Sequence, residues 1–357
     1  MRRSFAGVAV LTIGMISAPA RAGDFYAGKT LRLIVNFAAG GAADLEARVF
    51  ARHAARHLRG DARILPGNLD GAGGMAGVNF LVRDTVRDGL TAGYLTGFGA
   101  RAAFSPESFR ADPLTFEMIG LNPGAAIYFA RADIEPGLKS PADILQAKNI
   151  FAAGISAVAS KDVTARLTLD MLGLKHAYLP GYAGTTAVRM ALEKGEVNFY
   201  SENRPAWQSI IAPLVKAGTV LPLWHDPGVT GEKLVVARSV ADLPIKPFQE
   251  FYRDAKGEYP GGKLWEAYKA MLGVNASLLR AIVLPPDSPT AAVDDLRAAV
   301  AELNEDAEFI EDATKVLGFA PRYETGARLN EQTRDMLRLS PDMKAFIEDY
   351  IARDGGR

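Results

Sequence analysis

The fold is decided by residues 31–44, which read Leu31-Arg32-Leu33-Ile34-Val35-Asn36-Phe37-Ala38-Ala39-Gly40-Gly41-Ala42-Ala43-Asp44. The apolar beginning predicts a buried strand, and the small residues after it predict a turn that leads into a helix. The first backbone N–H groups of a helix have no partner inside it and carry partial positive charge. This stretch therefore predicts a strand, a turn and a helix whose start favours an anion.

A second glycine-rich turn follows the next predicted strand. It reads Gly71-Ala72-Gly73-Gly74 and stands between a strand at 62–65 and a helix at 75–82. The two turns, in this order, resemble those of the substrate-binding receptors of tripartite tricarboxylate transporters, the Bug-type extracytoplasmic solute receptors. The resemblance extends over most of 29–225 and 278–340. It implies an α/β, two-lobed type II periplasmic-binding-protein fold, also known as the Venus flytrap fold.

Short strands alternate with amphipathic helices along the chain, which is typical of parallel βαβ units. With the resemblance, this alternation predicts a discontinuous first lobe of residues 23–128 plus 222–357 and a second lobe of residues 129–221. The chain is expected to cross between the lobes near residue 128 and to return at 220–223. Residues 226–277 are the least similar to the family, and no role is predicted for them.

The first residues have the pattern of a signal peptide. Arg2 and Arg3 precede an apolar run at 5–16, and the small residues Ala20 and Ala22 fit a cleavage site. The run is shorter than the roughly twenty residues that span a bilayer core. We therefore predict a signal peptide at 1–22, cleaved near Ala22, and a periplasmic protein. Secretory and twin-arginine export both remain open.

Composition excludes several classes of function. The chain has no cysteine, so it has no lipid-modified cysteine, disulfide or cysteine nucleophile. Lysine plus arginine equal aspartate plus glutamate at 41 each, without a basic run, which argues against a nucleic-acid partner. His53 and His57 stand one helical turn apart without a third ligand, so no metal is predicted. Residues 66–70 separate the Gly71 turn from its strand, so no dinucleotide cofactor is predicted either.

The resemblance implies a set of ligand-binding residues in both lobes. Asp44, near a helix start, is instead assigned to the helix dipole and the free amides. Arg101 and Arg204 are candidates to receive a second carboxylate. Ala43 stands where the family usually has threonine, and the pair at 202–203 where it commonly has Asp-Asn. The implied ligand-binding residues are Phe37, Ala38, Ala39, Gly40, Gly41, Gly71, Gly73, Gly74, Gly154, Ser156, Ser160, Tyr182, Gly184, Thr185, Glu202 and Asn203.

The implied function is capture of a small carboxylate by a monomeric receptor, without catalysis, and its delivery to a membrane permease of the tripartite tricarboxylate type. Two alternatives remain open. Ser156 could serve an exported serine hydrolase, although its surroundings lack the last glycine of a nucleophile elbow, and sequence cannot place His176 or His225 beside it. The same lobes could also belong to a solute sensor that signals to a membrane partner.

Overall fold

The computed structural model describes residues 23–230 and 233–354, so the predicted signal peptide at 1–22 lies outside the described residues. Two five-stranded mixed sheets form the centres of two lobes. In the first sheet the strand order is β2-β1-β3-β12-β4, and β1 is parallel to both its neighbours while β12 is antiparallel to both of its own. Its strands are β1 (Thr30–Val35), β2 (Arg63–Asn68), β3 (Thr91–Leu95), β4 (Glu117–Asn122) and β12 (Arg280–Leu284).

The second sheet repeats this plan with the order β7-β6-β8-β5-β9. Strand β6 is parallel to β7 and β8, and β5 is antiparallel to β8 and β9. A two-stranded hairpin of β10 (Gly228–Thr230) and β11 (Lys233–Val235) follows it. The strands of the second sheet are β5 (Ala126–Arg131), β6 (Ile150–Ala153), β7 (His176–Leu179), β8 (Phe199–Asn203) and β9 (Val220–His225).

Helices cover both faces of each sheet, as parallel strands require, because the crossover helices shield the apolar faces from water. Five α-helices precede residue 200: α1 (Ala42–Ala54), α2 (Met75–Asn79), α3 (Phe98–Phe104), α4 (Ser160–Leu172) and α5 (Thr185–Lys194). The later ones are α6 (Arg204–Ala206), α7 (Ala212–Lys216), α8 (Phe248–Lys256), α9 (Gly262–Leu278), α10 (Thr290–Leu303), α11 (Ala307–Leu317), α12 (Leu329–Met336) and α13 (Pro341–Asp354).

Short turns of 3-10 or π helix complete the described secondary structure. The π-helical turns are Phe80–Asp84 and Trp207–Ile211. The 3-10 turns are Ala55–His57, Ala72–Gly74, Pro106–Ser108, Pro113–Thr115, Pro141–Gln146 and Arg238–Val240.

The lobes divide at different residues from those that the sequence suggested. Strand β5 belongs wholly to the second sheet, so the first crossing lies at 123–125, and the predicted crossing at 128 falls inside a strand. The return was predicted at 220–223, but β9 is the edge strand of that same second sheet. Both errors have one cause: an apolar run shows that a strand is buried, but it does not show which sheet contains it.

Residues 226–277, for which no role was predicted, contain nearly all of a helix that contacts both lobes. Helix α9 packs against α4 of the second lobe and against α3 and β4 of the first. Its Tyr268 and Met271 belong to the same apolar core as Tyr128 of β5. Tyr350 of α13 joins this core as well. Much of 222–357 therefore packs with the second sheet, whereas the prediction placed all of it in the first lobe.

The first lobe has an apolar core on each face of its sheet. Strand β1 shows why, since Leu33 and Val35 pack with α1 on one face, whereas Ile34 packs with α2 on the other. Successive side chains of a strand point to opposite faces. Within the described residues, no helix combines the length and the apolar character needed to cross a bilayer.

Candidate ligand-binding cleft

A cleft of about 390 Å³ opens between the two sheets, a size typical of small-molecule sites. Most of its lining residues are small or apolar. From the side of the first sheet come Phe37, Ala38, Ala39, Gly41, Ala42, Ala43, Gly73, Thr96, Gly97, Arg101, Leu279 and Arg280. From the side of the second sheet come Ile155, Ala159, Lys161, Ala183, Gly184, Thr185, Thr186, Ala187, Met190, Glu202 and Asn203.

Helix α1 begins at this cleft. Its N-cap residue is Gly41, and no side chain caps it in the described chain. The first backbone hydrogen bond of the helix runs from the N–H of Leu45 to the carbonyl oxygen of Gly41. Gly41, Ala42 and Ala43 line the cleft. The unpaired N–H groups of this first turn therefore belong to residues of the cleft wall.

Helix α5 begins at the opposite wall in the same way. Its N-cap is Gly184, again without a side-chain cap among the described residues, and the N–H of Val188 donates to the carbonyl oxygen of Gly184. Gly184, Thr185 and Thr186 line the cleft. Each helix N-terminus carries the equivalent of about half a positive charge. Each of these two termini, from facing lobes, gives the cleft a partial positive charge. The Asp44 carboxylate in the first turn of α1 opposes that charge on one side. On the other side Glu202 accepts the Thr185 hydroxyl at the start of α5, and Lys161 balances its charge.

Asp44 uses one of the predicted ligand-binding amides. Its Oδ2 accepts hydrogen bonds from the Gly40 N–H at 2.9 Å and from Arg48 Nε at 2.9 Å, and Asn68 donates to Oδ1 at 3.0 Å. Burial raises the pKa of Asp44, but the hydrogen bonds from Arg48, Gly40 and Asn68 outweigh it, so the pKa is lowered. Asp44 therefore has the structural role that the sequence indicated, and Gly40 lies outside the lining.

Asp162 likewise accepts hydrogen bonds from backbone N–H groups of the loop before its helix, α4. Its Oδ2 accepts the N–H groups of Ile155 at 2.6 Å and Ser156 at 2.9 Å and the hydroxyl of Tyr178 at 3.0 Å. Burial raises its pKa. This internal carboxylate occupies the backbone donors of the loop before α4, including that of Ser156, whose hydroxyl was predicted to contact the ligand. Contrary to that prediction, three residues lie outside the lining: Gly154, Ser156 and Ser160.

The second glycine turn contributes less than predicted. Only Gly73 lines the cleft. Gly74 lies behind it, where a Cβ would meet the Phe37 ring at 2.7 Å, and the carbonyl of Gly71 accepts the N–H of Gly74 at 2.9 Å, which closes the turn. Tyr182 also lies outside the lining; its N–H donates to the carbonyl of Gly154 at 3.2 Å. Gly71 and Gly74 both have positive φ and shape the turn.

A buried ion pair, part of which the sequence analysis missed, lies in the second-lobe wall. Lys161 Nζ donates to the Tyr200 hydroxyl at 2.7 Å and lies 3.4 Å from Oε1 of Glu202, and the Thr185 hydroxyl donates to the same oxygen at 2.7 Å. Burial raises the pKa of Tyr200 well above its usual value, so the phenol stays neutral. Glu202 was predicted as a ligand contact, but its charge is balanced by Lys161.

Three arginines near the cleft differ in their partners. Arg280 is 2.8 Å from Glu46, and both side chains are almost completely buried. Arg204, a sequence candidate, makes a bidentate pair with Asp242 and lies outside the lining. Arg101, the other candidate, lines the cleft. Its guanidinium makes no ion pair or hydrogen bond with any residue of 23–230 or 233–354.

The residues that a serine hydrolase would need do not meet in this structure. The ring nitrogen Nδ1 of His176 pairs with the carbonyl of Leu174 at 3.1 Å, and Nδ1 of His225 pairs with that of Asp226 at 2.7 Å. No hydrogen bond joins either ring to Ser156 in the described chain. Over the same residues, no group of three histidine, aspartate or glutamate side chains is arranged to hold a metal ion.

Solved structures show what this architecture is similar to. The chain has the fold of periplasmic solute-binding proteins. A Rhodopseudomonas palustris protein with adipate has a TM-score of 0.65 at 20% identity, over 92% of this chain and 97% of that one. The periplasmic binding protein BugD has a TM-score of 0.63 at 20% identity, over 91% of this chain and 97% of that one. R. palustris MatC with bound malate has a TM-score of 0.62 at 20% identity, over 90% of this chain and 98% of that one. A scan against protein-family models gives no match, and neither does a search of curated proteins.

Proposed function

We propose that this protein is a solute receptor of the tripartite tricarboxylate transporter type, which captures a small carboxylate in the interlobe cleft and delivers it to a membrane permease. The observation that carries the proposal is the pair of helix starts, α1 and α5, which face one cleft without side-chain caps. Helix N-termini bind anions through their free N–H groups and their dipoles. No cationic pocket is needed for the first carboxylate.

The proposal includes export and a monomeric state. Residues 1–22 would direct the chain to the periplasm, where such receptors work, and the mature protein would begin near residue 23. The solved relatives with adipate and malate bind carboxylates in the same architecture, which supports a carboxylate here. A sensor that signals to a membrane partner would bind its solute in the same way. Uptake of the bound acid by cells with and without this gene would separate transport from sensing.

We expect carboxylates to stabilise the protein lacking residues 1–22, whereas matched neutral compounds do not. A ligand at one hundred times its Kd adds about 2.7 kcal/mol to the free energy of unfolding. The measurement is a thermal-shift series with adipate, malate and the neutral diamide of adipate, and native mass spectrometry detects any co-purified ligand. Stabilisation by the diamide as strong as by adipate would contradict an anion site. Ester hydrolysis that Ser156→Ala abolishes would favour the hydrolase instead.

The start of α5 allows a sharper test. Thr186 is an exposed cleft residue in the first turn, so Thr186→Asp places a carboxylate where negative charge favours the helix but repels an anionic ligand. We expect carboxylate affinity to fall by about ten- to a hundredfold, since nearby like charges repel by a few kcal/mol. The melting temperature without ligand should not fall. Thr186→Asn has nearly the same shape without the charge and should bind normally; equal losses in both variants would contradict the proposal.

A further inference from the structure

Among the described residues, the side-chain charges of the cleft are compensated except at Arg101. Lys161 pairs with Glu202, and Arg280 pairs with Glu46. Arg101 of α3 projects into the same cleft and is half-buried, yet no carboxylate of the described residues lies within ion-pair distance of it. An arginine that is partly removed from water without a partner loses hydration energy that an anion could restore. The guanidinium of Arg101 is therefore free to bind an anion in the cleft.

The surroundings of Arg101 fix its position but do not satisfy it. A Cβ on Gly73 would meet its Nη2 at 2.5 Å, so the glycine of the second turn makes room for the guanidinium. Burial lowers the pKa of Arg101, while Asp162 and Tyr178 across the cleft oppose that shift. The Asp162 carboxylate is already held by the N–H groups of Ile155 and Ser156. It therefore attracts Arg101 from a distance without pairing with it.

We propose that Arg101 receives a second anionic group of the ligand, apart from the carboxylate held by the starts of α1 and α5. This inference rests on the proposed function, because it assumes that a carboxylate occupies the helix starts. A guanidinium presents a planar set of donors that matches a carboxylate in bidentate geometry. The residue thereby selects dianionic ligands over monoanionic ones.

The other residues of the cleft lining indicate which kind of spacer joins the two anionic groups of the ligand. Phe37, Ile155, Met190 and Leu279 are apolar, and most of the other lining residues are alanine or glycine. Thr96, Thr186 and Asn203 add a few polar groups, and Oδ1 of Asn203 is buried without a hydrogen-bond partner in the described chain. Most of the wall nevertheless offers no partner to a polar spacer, and buried polar groups without partners are costly. Glu202, the carboxylate of the lining, is already bonded to Lys161 and Thr185 and is not available to a ligand ammonium. The favoured ligand class is a dicarboxylate with a largely apolar spacer.

Three six-carbon acids of similar shape test this directly. Adipate carries a second carboxylate, hexanoate carries a methyl group there, and 6-aminohexanoate carries an ammonium. Calorimetry on the unmodified protein should rank adipate at least about tenfold above hexanoate, with 6-aminohexanoate weakest. If hexanoate binds as tightly as adipate, or if 6-aminohexanoate binds more tightly than both, the proposed second anion site is wrong. The proposal of a carboxylate receptor would still stand. If none of a four- to eight-carbon series of these acids binds, the proposed function itself fails.

Variants at position 101 assign the effect to this side chain. Arg101→Gln should lower adipate affinity about tenfold and leave hexanoate within about twofold, whereas Arg101→Lys should retain most of the preference. Arg110→Gln removes the same charge from an exposed site outside the lining and serves as the control. Equal losses for adipate and hexanoate in Arg101→Gln would place Arg101 at the first carboxylate and overturn the proposal, as would no loss for either. Melting temperatures without ligand check that each variant folds.

Discussion

Replacing Arg280 by methionine is expected to reduce the free energy of unfolding by about 3–5 kcal/mol, because it leaves a buried carboxylate without its counter-charge. Arg280 begins β12, and its Nη2 lies 2.8 Å from Oε1 of Glu46 on α1, with about 2% of each side chain exposed. The contact is close but is not well directed as a hydrogen bond. Tyr94 and Asn122 also donate to Glu46, at 3.3 and 3.4 Å. Chemical denaturation gives the loss directly.

Two comparisons show whether the charge causes that loss. Burial raises the pKa of Glu46, and Arg280 opposes the rise, so without Arg280 the pKa rises further and the deficit should shrink as the pH falls. The double variant Arg280→Met/Glu46→Gln should recover much of the stability. Arg328→Met, which breaks an exposed pair with Glu331, should change stability by less than about 1 kcal/mol. A double variant as unstable as Arg280→Met alone would contradict the charge explanation.

The sequence predicted local structure well where a few neighbouring residues determine it. The stretch 31–44 does form a strand, a turn and a helix, with α1 beginning at Ala42. It could not assign strands to sheets, because β5 and β9 look like any other buried strands and their partners are distant in sequence. The role of α9 was missed for the same reason: its contacts with α3 and α4 exist only after both lobes have formed.

In the candidate site, too, local features could be predicted from the sequence, whereas contacts between distant residues could not. Glycine turns predict where helices begin, but not which amides remain free once side chains have packed. Asp44 and Asp162 each stand in the first turn of a helix and accept N–H groups from the loop before it. An acid in the first helical turn after a loop of small residues therefore indicates that the loop amides are bonded within the protein. The sequence analysis drew this conclusion for Asp44 but not for Asp162. The sequence also contained evidence for the buried ion pair of Arg280, because a charged residue at the edge of the apolar run 279–284 needs a buried partner.

Asp226 is a buried acid at the point where the chain passes between the lobes. Its Oδ1 accepts the hydroxyls of Tyr128 and Tyr268 at 2.7 Å each. Its Oδ2 accepts the N–H of Ala126, the first residue of β5, at 3.3 Å, and its own N–H donates to the carbonyl of Ala126 at 2.8 Å. The residue thus joins the outgoing connection before β5 to the returning connection after β9. Burial raises the pKa of Asp226 from its ordinary 3.8 to about 6.

This raised pKa predicts that the contribution of Asp226 to stability is lost as the pH rises towards neutrality. The folded state holds the Asp226 proton more tightly than the unfolded state, so the contribution is complete below about pH 4 and is lost as the pH passes through about 6. A difference of about two pKa units corresponds to about 3 kcal/mol. Asp226→Asn should remove this dependence. The stability of the unmodified protein relative to the variant should therefore fall by about 3 kcal/mol between about pH 3 and 8, and by about half of that between about pH 5 and 8.

The matched control for Asp226→Asn is Asp133→Asn, since both remove one carboxylate but the two acids titrate in different ranges. The hydrogen bond from Arg131 lowers the pKa of Asp133 below its ordinary value. Asp133 therefore stays ionised in both states above about pH 5, and its variant should run parallel to the unmodified protein between about pH 5 and 8. An Asp226→Asn curve that also runs parallel to that of the unmodified protein would contradict a raised pKa of Asp226 in the folded state.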